Sequence, residues 1–402
     1  MQSTLTKNRI QSIDVLRGLV MVIMALDHIR DFLYKADMTK AADAAMDPTN
    51  LQTTFPLLFF TRWITHFCAP VFVFLAGVSI YLMCQRKTKK ELSGFLIKRG
   101  IWLVVVELVI ITFGWTFNPL FNLLILQVIW AIGVSMVLLG LLIHLPYKVI
   151  FAIGLIIVAG HNVMDFPSIS AGLKGSVLSD LIYFSNFSVH SFNPTHYYII
   201  VYSFLPWTGV MLLGFCFGKL YEKSVDELYR RKMLLRIGSA AVVFFFILRF
   251  TNWYGDPTPW SVQARGPVYT VLSFFNVNKY PPSLLYLCMT LGPGILFLAL
   301  IEKIQNRFTS VMNVYGRVPM LYYILHFYII HLIVVVVFFA QGFGTKDIVP
   351  QGAPFFFKPN GLGFGLWGIY AVWAFVVILL YPICKKYNAY KSRHQKWWLS
   401  YL

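Results

Sequence analysis

Residues 12–34 read SIDVLRGLVMVIMALDHIRDFLY, an apolar run that carries Asp14, Arg17, Asp27, His28, Arg30 and Asp31. In a bilayer each such group costs about 2.5–3.5 kcal/mol near the midplane. A segment otherwise this hydrophobic retains them only for a use. At about 3.6 residues per turn, Asp14, Arg17, Met21, His28 and Asp31 fall near one helical face. A polar stripe along a membrane helix marks a lined cavity or path rather than a lipid-facing surface.

The rest of the chain sets the same frame. Its 402 residues are 58% hydrophobic and only 12% charged, which excludes a soluble protein and predicts a polytopic membrane protein. Ten apolar spans are expected, at about 12–34, 57–84, 96–115, 119–144, 146–160, 196–219, 233–252, 281–301, 310–341 and 362–384. With the N-terminus placed in the cytoplasm, inside segments hold 22 Lys and Arg and outside segments 7. The net charge of +18 is therefore topogenic, with an anionic inner leaflet as its neighbour, and nucleic acid is not an expected partner. The five cysteines, Cys68, Cys84, Cys216, Cys288 and Cys384, lie in or at the ends of spans and read as buried thiols. The first span, broken by charge, reads as a retained helix rather than a signal peptide.

Three spans bring histidines to a similar depth. At 1.5 Å per residue His28 lies roughly 21–24 Å from the inner surface, His326 roughly 24 Å, and His66 roughly 13 Å below the outer end of its helix. In a hydrocarbon core about 30 Å thick all three fall in the outer half. Histidine suits acyl transfer because it deprotonates a hydroxyl or amine near neutral pH, or accepts an acyl group itself. Asp27 points about 100° away from His28 on the helix, so its partners are Arg30, Arg62 or His66. A buried ion pair joining the first two helices is the plainer reading of Asp27. Toward the inner surface, Asp14, Arg17, Asn313 and Arg317 form a second cluster, able to grip the phosphates of a cytoplasmic donor or simply to pair across helices. Glu107 is a lone carboxylate, read either as a proton-handling group or as one half of a bundle pair. No metal site is expected, since His326 and His331 are five apart and no HExxH motif or Cys cluster is present.

Several blocks then resemble a known family. The run SIDVLRGLVMVIMALDHIRDF (12–32) is similar to the opening signature of bacterial multi-pass proteins grouped with heparan-α-glucosaminide N-acetyltransferase, a transmembrane acyltransferase class. It is continued by FFTRWITHFCAPVFVFLAGVSIYL (59–82), LPWTGVMLLGFCFGKLY (205–221), NVNKYPPSLLYLCMTLGPG (276–294) and YGRVPMLYYILHFYIIH (315–331). The resemblance implies transfer of an acetyl group from cytoplasmic acetyl-coenzyme A to a sugar amine or hydroxyl on the far side. The lysosomal branch is expected to use a histidine in the outer loop after helix 1. Residues 35–56 contain none, which shifts that role to His28 or His66.

The expectation is a single all-α domain over residues 1–402, a bundle of about ten spans with cytoplasmic N- and C-termini in a bacterial inner membrane. His28 is expected to act as general base, with His66 and His326 binding or polarising the acceptor and Asp27 and Arg62 organising the site. Arg17, Arg317 and Asn313 would hold the donor, and Lys279 of the KYPPSL segment would line the outer mouth. No cofactor is expected to be permanently bound, acetyl-coenzyme A being a co-substrate. The other expected partners are the glycan or amino-sugar acceptor and membrane lipid, with a homodimer left open because every apolar face looks alike. Two rivals use the same residues. One is a proton-coupled transporter of a small anion or sugar, with the histidines and carboxylates as a relay. The other is a structural or sensory protein whose buried charges pair helices.

Overall fold

The computed structural model describes residues 10–35, 47–349, 355–394 and 396–400, and these are mostly helical. The chain divides into two compact units. One comprises the described residues up to Cys68, Gly114–Pro119 and those from Leu300 onward; the other comprises Ala69–Phe113 and Leu120–Ala299. Among the described residues seven helices are long and apolar enough to cross a membrane: Pro56–Cys84, Tyr147–Asp165, Phe204–Tyr221, Glu227–Thr251, Leu284–Ile301, Pro319–Ala340 and Leu366–Arg393. Three of the ten expected spans are not among them. The first carries too many charges, 96–115 runs through a π turn, and 119–144 shortens to the 15-residue helix Val128–Leu142.

The first unit is built around α1 (Gln11–Leu33). Four elements surround it: α2 (Pro56–Thr65), a later helix pair, and the C-terminal helix. In the second unit α3 (Cys68–Cys84) is followed by α4 (Lys89–Val106), which starts at a capping box between Thr88 and Glu91. A π turn at Glu107–Ile111 then leads into α5 (Thr112–Thr116), which enters the first unit at Gly114. The π turn has a use: Glu107 accepts the backbone N–H of Trp130 (2.9 Å) at the start of α6 (Val128–Leu142), where Gln127 supplies no side-chain cap. The partner of the lone carboxylate is thus a helix N-terminus.

A three-stranded sheet departs from the all-α expectation. Strand β1 (Leu123–Leu126) pairs in parallel with β3 (His196–Ile200), which pairs antiparallel with β2 (Ser188–Asn193). The expected span 196–219 therefore opens as strand and becomes α8 only at Phe204–Phe217, after α7 (Tyr147–Gly160). The local chemistry explains it. HYYII is β-branched and aromatic, and Asn193 accepts the N–H groups of Thr195 and His196 to close an Asn-Pro-Thr turn before it. Further along, α9 (Glu227–Thr251), α10 (Pro267–Phe275) and α11 (Leu284–Ile301) complete the second unit. Arg249 of α9, 1% exposed, donates to the carbonyls of Thr258, Ser273, Phe274 and Asn276 at 2.8 Å each and so ties the intervening loop to α9 and to the C-terminal end of α10.

Back in the first unit, the expected span 310–341 is two helices, α12 (Arg307–Arg317) and α13 (Pro319–Ala340). Pro319 has no N–H and disfavours helical geometry at the residue before it, and Val318 leaves the helix at φ −131°, ψ 48°. The chain ends in α14 (Leu366–Arg393), whose Trp373 indole donates to Val22 O of α1 (2.8 Å). Helices α1 and α12 touch backbone to backbone. A Cβ at Gly18 would lie 1.8 Å from Met312 O, and one at Gly316 would lie 1.8 Å from Asp14 O.

Such a contact admits only glycine. Gly18→Ala and Gly316→Ala are each expected to destabilise the protein by about 1–3 kcal/mol, the usual range for overpacking, with less than additive effects in the double variant. Gly94→Ala in α4, where a Cβ would meet nothing within 4 Å, is the neutral control. Thermal unfolding in detergent reads all three.

Candidate active site

Helix α1 presents its polar residues to different neighbours at its two ends. Near the C-terminal end, His28 Nδ1 lies 2.6 Å from His326 Nε2 of α13, and the rings stack at 4.9 Å and 23°. His326 is fully buried, and its Nδ1 faces the carbonyl of Tyr322 one turn back at 3.1 Å. A carbonyl only accepts, so Nδ1 of His326 carries the proton and a neutral His326 has its lone pair on Nε2. His28 must then donate through Nδ1, which leaves Nε2 as the basic atom of a neutral His28. The half-buried His28 ring is held by Phe327 (4.4 Å, 30°) and meets Trp115 (5.5 Å, 75°) and Tyr323 edge-on. The indole Nε1 of Trp115 is buried with no hydrogen-bond partner among the described residues.

Asp27 faces the other way. Its carboxylate pairs with Arg62 of α2, takes the Thr65 hydroxyl at 2.8 Å, and receives Arg30 Nη2 at 2.9 Å from one turn along α1. Arg30 also pairs with Asp31. Asp27 and Arg30 are 8% and 4% exposed, so this is a buried network, with one carboxylate joining two helices. His66 follows Thr65 directly and is 3% exposed, its backbone N–H bonded to Trp63 O at 3.1 Å.

At the other end of α1, Asp14 lies between two arginines. Arg17 Nη1 donates to it at 2.9 Å and reaches Gly316 O at 3.3 Å, while Arg317 Nε stands 3.8 Å from its second oxygen. Asn313 lies one turn back on α12 from Arg317, with a buried side-chain oxygen that has no partner among the described residues. Arg17 and His28 are separated by 11 residues, about 16 Å of helix.

Eight of the nine residues singled out in the sequence belong to the first unit, in three groups: His28 with His326, Asp27 with Arg62 beside His66, and Arg17 with Arg317 and Asn313. Lys279 belongs to the second unit, where its backbone bridges to Pro282 and its ammonium lies 5.1 Å from the Tyr280 ring. Sequence reading passed over Trp115, Phe327, Thr65 and Lys358, and weighed His331 only as a metal ligand. His331 Nδ1 and Nε2 face the carbonyls of Gly114 (3.0 Å) and Phe356 (3.2 Å), and its ring stacks flat on Phe117 at 3.6 Å. Only Thr65 had a local signal, standing one turn beyond Thr61 and three residues after Arg62 on the same face. Among the described residues no three His, Cys, Asp or Glu side chains converge as a metal site, and all five cysteines are free thiols.

A family model described as heparan-alpha-glucosaminide N-acetyltransferase, catalytic, matches residues 9–249. The chain belongs to that family. The matched stretch contains α1 and α2 and hence Arg17, Asp27, His28, Arg62 and His66. Family and helix content together make the chain an acetyltransferase-type membrane enzyme. No curated protein matches it.

The Asp27 network has a stability signature of its own. Asp27→Asn removes the carboxylate that Arg62 and Arg30 share, while Arg30 keeps Asp31, and breaking a buried pair in this way typically costs about 3–5 kcal/mol. Thr65→Val removes one neutral donor and is expected to cost about 1 kcal/mol. Thermal unfolding should rank them in that order.

Proposed function

We propose that the enzyme moves an acetyl group from cytoplasmic acetyl-coenzyme A to an amino sugar or glycan on the outer face of a bacterial inner membrane. The single observation that carries the reading is the 2.6 Å contact between His28 Nδ1 and His326 Nε2, from which we assign the tautomer that makes His28 Nε2 the base. In this mechanism the acceptor nitrogen or oxygen attacks the thioester carbonyl and forms the new C–N or C–O bond. Its proton passes to His28 Nε2, the C–S bond breaks, and coenzyme A leaves as thiolate to be protonated in turn. Trp115, whose ring stands edge-on to His28 at 5.5 Å, offers its Nε1–H to the carbonyl oxygen as negative charge develops there. Asp27 and Arg62 hold α1 against α2 and act as positioning residues. Arg17 and Arg317, sharing one carboxylate, retain net positive charge for the donor's phosphates, with Asn313 beside them. His66 is given an acceptor-side role on its position next to Thr65.

Two measurements test the reading. Acetyl-coenzyme A is expected to stabilise the purified protein against heat, and Arg17→Ala and Arg317→Ala to lose that shift. Acetylation of glucosamine is expected to fall about 10²–10⁴-fold in His28→Ala, the usual contribution of a general base. His326→Phe keeps a stacked ring but removes the acceptor for His28 Nδ1, so it is expected to lower the rate less and to move its pH profile. A folded wild-type protein that millimolar acetyl-coenzyme A does not stabilise would overturn the donor site and favour proton-coupled transport.

A further inference from the structure

We propose that the acceptor carries an oxyanion substituent, a carboxylate or a phosphate, which Lys358 binds at the C-terminal end of α1, two aromatic rings from His28. This rests on the acceptor reading above and deepens it. Lys358 lies between α13 and α14 in a stretch pinned by its backbone: Phe356 N–H donates to Thr116 O (2.9 Å), Phe356 O faces His331 Nε2, and Phe357 N–H donates to Ile348 O (2.8 Å). The ammonium is therefore held in place before any ligand arrives.

Its own contacts leave capacity. Lys358 Nζ has three donors. One is used by the main-chain carbonyl of Asp31 (2.9 Å), and the rings of Phe32 and Phe355 stand 5.0 and 5.3 Å away. No carboxylate oxygen lies within ion-pair distance of it among the described residues. The nearest acid, Asp31, is paired with Arg30, whose Nη1 is itself buried without a partner among those residues. Cationic charge is thus under-compensated at a half-buried position. Burial pushes the Lys358 ammonium down to about 8, against the pull of Asp31. From Lys358 the path to the base is short and apolar: Phe32 under the ammonium, Phe32 stacked on Trp115 at 4.8 Å, and Trp115 edge-on to His28. A sugar whose reacting group sits at His28 would bring a substituent on the same or the next ring to Lys358.

The bland alternative is that Lys358 only caps the last turn of α1 through Asp31 O. Thermal shift of the full-length protein in detergent separates the two, with glucuronate, glucose 6-phosphate and glucose as probes. An anionic sugar is expected to raise the melting temperature while glucose does not. Lys358→Met is expected to abolish that shift and Lys358→Arg to keep it. The charged and titratable groups around Lys358 are Asp31, Arg30 and His331. Because the ammonium deprotonates near pH 8, the wild-type shift is expected to fade above that pH, and the Lys358→Arg shift to persist. A larger response to glucuronate assigns a carboxylate, and a larger response to the sugar phosphate assigns a phosphate. Equal behaviour of glucose and the anionic sugars, or a shift retained in Lys358→Met, would overturn the site and leave the cap. The probes are added without acetyl-coenzyme A, so binding is read apart from acetylation. A Lys358-dependent shift without acetylation of either glucosamine or glucosamine 6-phosphate overturns the transfer reading alone.

Discussion

A carboxylate buried among apolar helices needs cations or hydrogen-bond donors buried with it, and Asp27 has both. Its oxygens are shared among Arg62 and Thr65 of α2 and Arg30 of α1, so they fix both the rotation of α1 about its axis and the position of α2 against it. The next residue on a helix points about 100° away. Holding Asp27 toward α2 therefore turns His28 toward α13 and Trp115. The direction of His28 follows from the pairing of its neighbour.

The partner of His28 is a second histidine, and that choice has consequences. A carboxylate in the place of His326 would also orient the ring, but it would add a negative charge to a buried aromatic box and favour imidazolium. A neutral imidazole held by the Tyr322 carbonyl fixes the tautomer without adding charge. Phe327, Trp115 and Tyr323 close the box around it. The pair is anchored at the main-chain carbonyl of Tyr322, so the orientation of His326, and through it that of His28, is tied to the helix backbone.

Much of this was legible in the sequence because α1 obeys simple geometry. Asp14, Arg17, Asp27 and His28 stand out as charges in an apolar run, and helical phase alone separates Asp27 from His28 and points it at Arg30 or Arg62. What escaped has equally physical causes. The strand at 196–200 is hidden because an apolar strand and an apolar helix share composition, and only the Asn-Pro-Thr turn before it betrays the change. Glu107 looked solitary because its partner is a helix N-terminus, which no residue letter records. Trp115 and Lys358 come from segments more than 80 and 300 residues from α1, and nothing local marks them.

The break at Val318–Pro319 is the piece of local chemistry on which the long-range arrangement turns. Were 307–340 one straight helix, Gly316 and His326 would be ten residues apart, about 1000° of rotation, and would face roughly 80° away from each other. One helix could then not lay Gly316 against the start of α1 and also bring His326 to its end. A proline that forces Val318 out of helical geometry resets the phase. α12 can then press its glycine onto Asp14 and Gly18, while α13 turns His326 to His28. The two clusters lie on one continuous α1, so their spacing is set by helix rise alone. The proline break lets a single neighbouring segment complete both.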